Sequence, residues 1–270
     1  MTRWLPRLVT VVVLAVWAFP LYWAVLSSLT PEARLFESPS LWPRAVTLEH
    51  YQTLFAERDF WTPIRNSLIV ASATTLSSVI IGALCAYAIA RLHFRFKGAV
   101  LGLILAVSMF PQISIVSPLF LLLRRLYLLN TYAGLVLPYL SFALPLTVWL
   151  LVAYFRQLPA DLEQAAMIDG AGRLTILRRV IAPLAVPGLA AAAIVTFIFC
   201  WNEFLFALSF TVGPRRQTVP VAVALFRGQY RVPWGQILAA SVLATAPVAA
   251  LILVGQRWII RGLTAGALKG

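Results

Sequence analysis

Side chains able to do acid, base, nucleophilic or metal chemistry are scarce in this sequence, and their spacing narrows what they can do. Among 270 residues there are nine acids, two histidines (His50 and His93), two cysteines (Cys85 and Cys200) and two lysines (Lys97 and Lys269). A phosphate-cradling loop needs G-x-x-x-x-G-K-[ST], and neither lysine has that setting. H-E-x-x-H, G-x-S-x-G and clustered Cys/His ligand spacings are missing too, which removes the common zinc and serine-hydrolase chemistries. The histidines fall in a polar stretch and a basic turn, where solvated or interfacial roles are the default. Cys85 and Cys200 stand alone in apolar sequence and read as small packing residues. The acids say more. Asp161, Glu163 and Asp169 share one short polar segment, and Glu203 is the only acid inside an otherwise apolar run.

The elements that must position these acids are apolar and long. Hydrophobic residues make up 61% of the chain and charged ones 11%, with a mean hydropathy of +0.88. Globular domains carry about 25% charged residues. Charge-free runs lie at 8–31, 66–90, 98–123, 126–155, 180–202 and 232–256. Each reaches the roughly 20 apolar residues that a helix needs to cross the hydrocarbon core. The expectation is an all-α polytopic membrane protein with six transmembrane helices, near 8–29, 66–90, 98–123, 132–155, 184–209 and 236–256. The first run is longer than a signal-peptide core and is followed by no good cleavage site, so it reads as a retained helix.

The net charge of +13 would suggest nucleic acid as a partner in a soluble chain. Here the arginines border apolar spans, where they anchor helices and set orientation, so no nucleic acid is expected. Six crossings put both termini on one side. With the termini inside, basic residues divide twelve inside to ten outside, and the dense Arg91-Leu92-His93-Phe94-Arg95-Phe96-Lys97 turn favours the inside. The termini are therefore expected to be cytoplasmic. The first outer loop, about 30–65, mixes Pro31, Pro39, Pro43 and Pro63 with Trp42, Tyr51 and Trp61, as expected of a folded cap at headgroup level. Prolines also punctuate the spans at Pro111, Pro118, Pro138, Pro145 and Pro247, which membrane helices tolerate. No inverted repeat of the secondary-transporter kind is visible.

The longest inner connection runs from Phe155 to Pro187. Asp161 is expected to cap a helix, with Gln164 completing a capping-box-like pair. Asp169-Gly170 then breaks that helix, and a second begins near Arg173 with Leu174, Leu177 and Ile181 on one apolar face, joined by Ile176 and Val180. Ala165, Ala166, Gly170 and Ala171 leave a surface with little side-chain bulk. Two readings fit: a linker whose apolar face packs under the bundle, or a short helix seated in the cleft of a partner. Glu203 also has two readings. As an intramembrane acid beside Phe197 and Trp201 it could line a solute path, or it could be structural: a packing acid bonded to Asn202 or a neighbouring subunit, or simply an outer-interface residue.

The stretch Glu163–Pro187 resembles the EAA loop of ATP-binding-cassette importer permeases, in the E-x-A-A-x-x-D-G-A…P…P form of sugar importers. Trp201-Asn202-Glu203-Phe204 is similar to the W-N-E-F signature of carbohydrate permeases. The tail from Gln256 to Gly270 looks like that of the maltose-type branch, with weaker echoes at Thr47–Tyr51 and Asn66-Ser67. One departure is Gln164, where the family usually has glutamate; it would substitute a neutral hydrogen bond for a charge-assisted one.

The resemblance implies a MetI-like permease fold with a first helix and external loop over 1–65, a five-helix core over 66–258 holding a coupling loop at 156–183, and a cytoplasmic tail at 259–270. It implies that Glu163, Gln164, Ala165, Ala166, Asp169, Gly170, Ala171, Arg173 and Pro183 couple to an ATPase. It makes Trp201, Asn202 and Glu203 candidates for the translocation path, and Gly262, Thr264, Gly266 and Lys269 ATPase contacts of the tail. The implied assembly in the inner membrane has a second permease, two ATPase subunits that hold ATP and Mg, and an extracytoplasmic sugar-binding protein. No cofactor, metal or catalytic residue is expected in this chain. An importer of another solute class, and an ion-driven secondary transporter using Glu203, stay open as alternatives, with a membrane enzyme behind them.

Overall fold

The structure, a computed structural model, describes residues 4–37, 40–226 and 232–264, with side chains through residue 258. Of the basic residues used to judge orientation, Arg3, Arg227, Arg231 and Lys269 lie outside the described residues. Every regular element among those described is helical. In chain order the α-helices are α1 (Trp4–Ser28), α2 (Glu49–Ala56), α3 (Trp61–Arg91), α4 (Lys97–Ser108), α5 (Gln112–Arg125), α6 (Ala133–Phe155), α7 (Asp161–Ile168), α8 (Arg173–Ile176), α9 (Ala182–Leu184), α10 (Val186–Trp201), α11 (Leu205–Phe210), α12 (Val219–Ala224) and α13 (Trp234–Thr264).

Four helices, α1, α3, α6 and α13, are each long and apolar enough to cross a membrane. The other two expected spans are bent. The pair α4 and α5 turns by 89° at Met109-Phe110-Pro111, and the run Arg173–Leu184 meets α10 at 81°. The six expected crossings stand if each bent pair is one span: four are straight helices and two are bent pairs. The fifth expected span, 184–209, also stops at Trp201 and restarts at Leu205. Proline accounts for both bends through the N–H donor it lacks, which interrupts the helical hydrogen-bond ladder. Pro111 is extended, with ψ 119°, and Pro187 sits in the first turn of α10.

The bundle is built around α3, α6 and α10. Close approach depends on small side chains, as is usual where no apolar solvent difference drives helices together. A Cβ on Gly82 would lie 3.0 Å from Thr147 Cγ2, and one on Gly188 would lie 2.4 Å from the Tyr154 ring. The buried Thr147 and Thr196 hydroxyls meet at 2.8 Å between α6 and α10. One apolar core surrounds Leu54, Tyr139, Trp201 and Phe206; a second, at the other end, holds Tyr87, Phe155, Ile176 and Ile181. The helix α1 packs against α13 and leaves its apolar surface open.

The connection after α1 folds back as a cap. Thr47 N donates to the Leu29 carbonyl at 2.8 Å, Ser28 Oγ and Tyr51 OH are 2.7 Å apart, and His50 Nε2 lies 2.9 Å from Thr30 O. Glu32 Oε2 accepts from Gly235 N at 3.0 Å and so closes the first turn of α13.

Candidate functional site

The segment between α6 and α10 forms α7, a tight turn and α8. Ala160 already has helical angles, φ −74° and ψ −24°, so Asp161 lies inside the helix and makes no side-chain cap. The expected capping box is therefore absent, because a cap residue must be non-helical for its side chain to reach the second or third N–H beyond it. Asp161 still places negative charge in the first turn, where the helix dipole favours it.

The expected break at Asp169-Gly170 takes a defined form. Gly170 has φ +80°, its N–H bonds to Met167 O at 3.0 Å, and Ala171 N bonds to Ala166 O at 2.9 Å. This is the paired closure of a Schellman turn, with glycine in the left-handed position that it occupies at least cost.

The second helix begins at Arg173, as expected, but Leu177–Ile181 widens into a π-helical stretch before α9. Pro183 accounts for the disturbance, since it offers no N–H to the carbonyl of Arg179. Ile176, Leu177 and Ile181 are buried against Ala86, Ile89 and Phe155. Leu174 is 61% exposed, so it leaves the apolar face on which the sequence put it. The widened turn changes the angular step, and a residue ahead of it no longer aligns with those behind.

The linker reading describes one face of this loop. The α8 side packs under the bundle. On the other side Gln164, Ala165, Asp169 and Gly170 are exposed, with Ala166 and Ala171 half-buried and Pro183 exposed further along. Ile168, 87% exposed, and Leu162 add apolar surface that nothing among the described residues covers.

Glu163 points the other way. It is buried, and its Oε1 accepts from Tyr87 OH at 2.7 Å and from Arg173 Nη1 at 3.0 Å. Arg91 Nε lies 3.8 Å from Oε2, and Arg91 Nη2 donates to the Leu158 carbonyl. Glu163 and Arg173 are brought together, while Gln164 and Asp169 stay apart from them at the surface.

At the far end of α10 the three residues 201–203 separate in role. Trp201 is buried, stacks on Phe197 at 5.8 Å and donates from Nε1 to Ala244 O at 3.1 Å. Asn202 is exposed and bonds from Nδ2 to Ile198 O at 2.8 Å. Glu203 is 8% exposed and accepts from the N–H groups of Phe206 and Ala207. Within the chain its partner is the backbone of α11 and not the expected Asn202, which bonds to Ile198 instead. Trp201 and Asn202 line a cavity of about 410 Å³ with Val219, Pro220, Ser241 and Thr245; Glu203 does not.

Residues 78–265 match the family described as binding-protein-dependent transport system inner membrane component. The chain belongs to this family. It is a permease subunit, which translocates rather than catalyses. The permease is 44% identical over 255 residues to the trehalose/maltose transport system permease protein MalG of Thermococcus litoralis, covering 93% of this chain and 91% of that one. It is 43% identical over 253 residues to the sulfoquinovosyl glycerol transport system permease protein SmoH of Agrobacterium fabrum, covering 93% and 89%. Its fold superimposes with a TM-score of 0.79, at 22% identity and 94% coverage of both chains, on a chain of a bacterial ABC transporter involved in the import of the acidic polysaccharide alginate.

Some features of the permease escape sequence reading. A second cavity, of about 770 Å³, opens at the α4–α5 bend between Ser108, Gln112, Ser141, Pro145, Trp149 and Phe199. Pro111 and Pro145 were visible as punctuation, but which walls they bring together was not. Ser241 and Thr245 of α13 carried no signal apart from their polarity. In the tail, α13 continues through Gly262 and Thr264, while Gly266 and Lys269 lie outside the described residues. Among the described residues no three His, Cys, Asp or Glu side chains come together as a metal site.

Proposed function

We propose that this chain is one of two permease subunits of an ATP-driven importer of a disaccharide or oligosaccharide in the inner membrane, with both termini cytoplasmic. An extracytoplasmic sugar-binding protein delivers the solute, and two ATPase subunits bind ATP and Mg²⁺ on the cytoplasmic side. The observation that carries the coupling role is the uncovered face of the 161–174 loop. Exposed Gln164, Ala165, Asp169 and Gly170 are flanked there by the apolar Leu162, Ile168 and Leu174. A patch of this kind on an otherwise folded loop marks a protein contact. The neighbouring α8 is packed into the bundle, so a push on α7 reaches the spans.

The sugar class rests on relatives of 43–44% identity whose names carry trehalose/maltose and sulfoquinovosyl glycerol. The solute path would pass Trp201 and Asn202, an aromatic and an amide of the kind that a sugar ring meets. The tail residues Gly262, Thr264, Gly266 and Lys269 would reach the ATPase pair. ATP-dependent closure of that pair biases the bundle between outward- and inward-open states, as alternating access requires. The ion-driven alternative is disfavoured because the one acid in the apolar spans, Glu203, already serves the backbone N–H groups that open α11.

The test is reconstitution with the partner permease and ATPase, scoring ATP-dependent uptake of labelled trehalose and maltose against phosphate and amino acids. Uptake that persists with an inactive ATPase would overturn the coupling role, and uptake of only non-sugar solutes would overturn the substrate class. Reporter fusions after Arg95 and after Arg215 test the topology and are expected on opposite sides.

A further inference from the structure

We propose that Glu163 is a positioning residue that makes the 161–173 loop and α3 move as one piece, so that displacement of α7 travels along α3 to the 213–219 segment at its far end. The inference rests on the coupling role proposed above and deepens it by naming the joint and the element that carries the motion.

At the near end, two successive turns of α3 grip one carboxylate. Tyr87 and Arg91 stand four residues apart and so share a face of the helix. Tyr87 OH donates to Glu163 Oε1 at 2.7 Å, and Arg91 Nε faces Oε2 at 3.8 Å. Arg173, across the Gly170 turn, closes the same carboxylate from the α8 side at 3.0 Å. Glu163 is 5% exposed, and the Arg91 side chain is nearly as buried. Water cannot readily replace a partner there, so sliding α7 against α3 would leave buried charge unpaired. Apolar contacts alone would permit such sliding, because they have no direction.

At the far end, the joint is again polar and buried. Asn66, fully enclosed in α3, donates from Nδ2 to the carbonyls of Arg215 at 3.0 Å and Gln217 at 2.9 Å. Tyr132 OH donates to its Oδ1 at 2.8 Å, and Ser67 Oγ accepts from Val219 N at 2.8 Å. Between the joints α3 is one unbroken helix without internal proline. The 21 residues from Asn66 to Tyr87 span about 32 Å at 1.5 Å per residue. A continuous rigid element fastened at both ends is the kind of physical link through which distant sites are coupled. The far segment borders a cavity of about 760 Å³ whose wall includes Arg58, Arg65, Arg215 and Gln217, so its displacement would reshape the surface around the end of α3 remote from α7.

The experiment uses the assembled transporter in lipid nanodiscs, with Cys85→Ala and Cys200→Ala and a single reporter thiol introduced as Arg215→Cys. The rate of modification by a hydrophilic maleimide is measured with and without ATP and vanadate, and ATPase retention is measured in parallel. Trapping is expected to change the rate by about fivefold or more in the otherwise native chain, the lower end of common coupling factors. That change is expected to vanish in Glu163→Gln and in Tyr87→Phe while the ATPase stays bound. A rate change that survives both substitutions, or none in the native chain, overturns the proposal. Failure of the native chain to retain the ATPase instead overturns the coupling role on which it rests. Where Glu163→Gln does not assemble, Tyr87→Phe decides, because it keeps the ring and removes only the donor.

Discussion

Glu203 Oε1 accepts a hydrogen bond from the backbone N–H of Phe206 at 2.7 Å, and its Oε2 accepts one from Ala207 at 3.1 Å. The acid of the fifth apolar run thus satisfies, from one residue ahead of the N-cap Phe204, two of the open N–H groups of α11. A helix that restarts within an apolar bundle exposes N–H groups that have no intrahelical partner. In the absence of water each such group is costly to leave unmade. The carboxylate answers that local need, with one backbone donor on each oxygen.

Replacing Glu203 is therefore expected to harm stability before transport chemistry. Glu203→Ala should lower the stability of the purified permease by about 1–3 kcal/mol, the usual cost of stranding buried donors. Glu203→Gln, which keeps an acceptor, should cost less. Thermal unfolding in detergent reads the difference. Uptake by the native transporter should continue when proton and sodium gradients are collapsed and ATP is maintained; its loss would return Glu203 to an ion-coupling role.

Gly170 tests the turn between α7 and α8. An added Cβ would meet nothing within 4 Å, so the φ of +80° is the only obstacle. Gly170→Asn should be nearly neutral, whereas Gly170→Val should cost at least about 1–2 kcal/mol through left-handed strain. The valine variant is expected to insert normally, to be cut faster by protease between 165 and 175, and to copurify with less ATPase. Equal behaviour of the two variants would count against the turn.

Gly235 makes the opposite kind of prediction. A Cβ there would lie 2.2 Å from the His50 ring and 2.7 Å from Glu32 Oε2, so space is the obstacle. Gly235→Ala is expected to lose about 1–3 kcal/mol, as overpacked sites do. His50→Ala in the same chain should recover part of that loss, because it vacates the colliding ring. Additive losses in this double-mutant cycle would show that the cap and α13 are not joined here.

Ile168 and Leu174 separate docking from folding. Both are exposed, so Ile168→Asp and Leu174→Asp should each change thermal stability by no more than about 0.5 kcal/mol. Each is expected to weaken ATPase association by about tenfold, or 1.4 kcal/mol. Pull-down of the ATPase at graded concentrations measures it, and unchanged retention in both variants would place the docking face elsewhere.

The membrane class was legible in the sequence because hydropathy is a sum over local residues; the family was legible only through the resemblance of Glu163–Pro187 and Trp201–Phe204. Runs without charge mark membrane spans whatever they pack against, and Asp161, Glu163 and Asp169, with Gly170 and the alanines, marked the loop between α6 and α10. The Gly170 turn was readable as well, since only the backbone and the next few residues decide it. What the sequence left open were relationships between distant residues. Asp161 and Glu163 look equivalent in a list of acids, yet Glu163 turns inward because Tyr87 and Arg91 stand one turn apart on a helix that precedes it by more than 70 residues. Leu174 belonged to an apolar stripe until the π-helical stretch before Pro183 altered the angular step. Two of the six expected crossings were bent because local proline geometry needed neighbouring helices to accommodate it. Composition determined that the chain lives in a membrane; tertiary packing decided which of its few charged groups stay available to a partner and which hold the machine together.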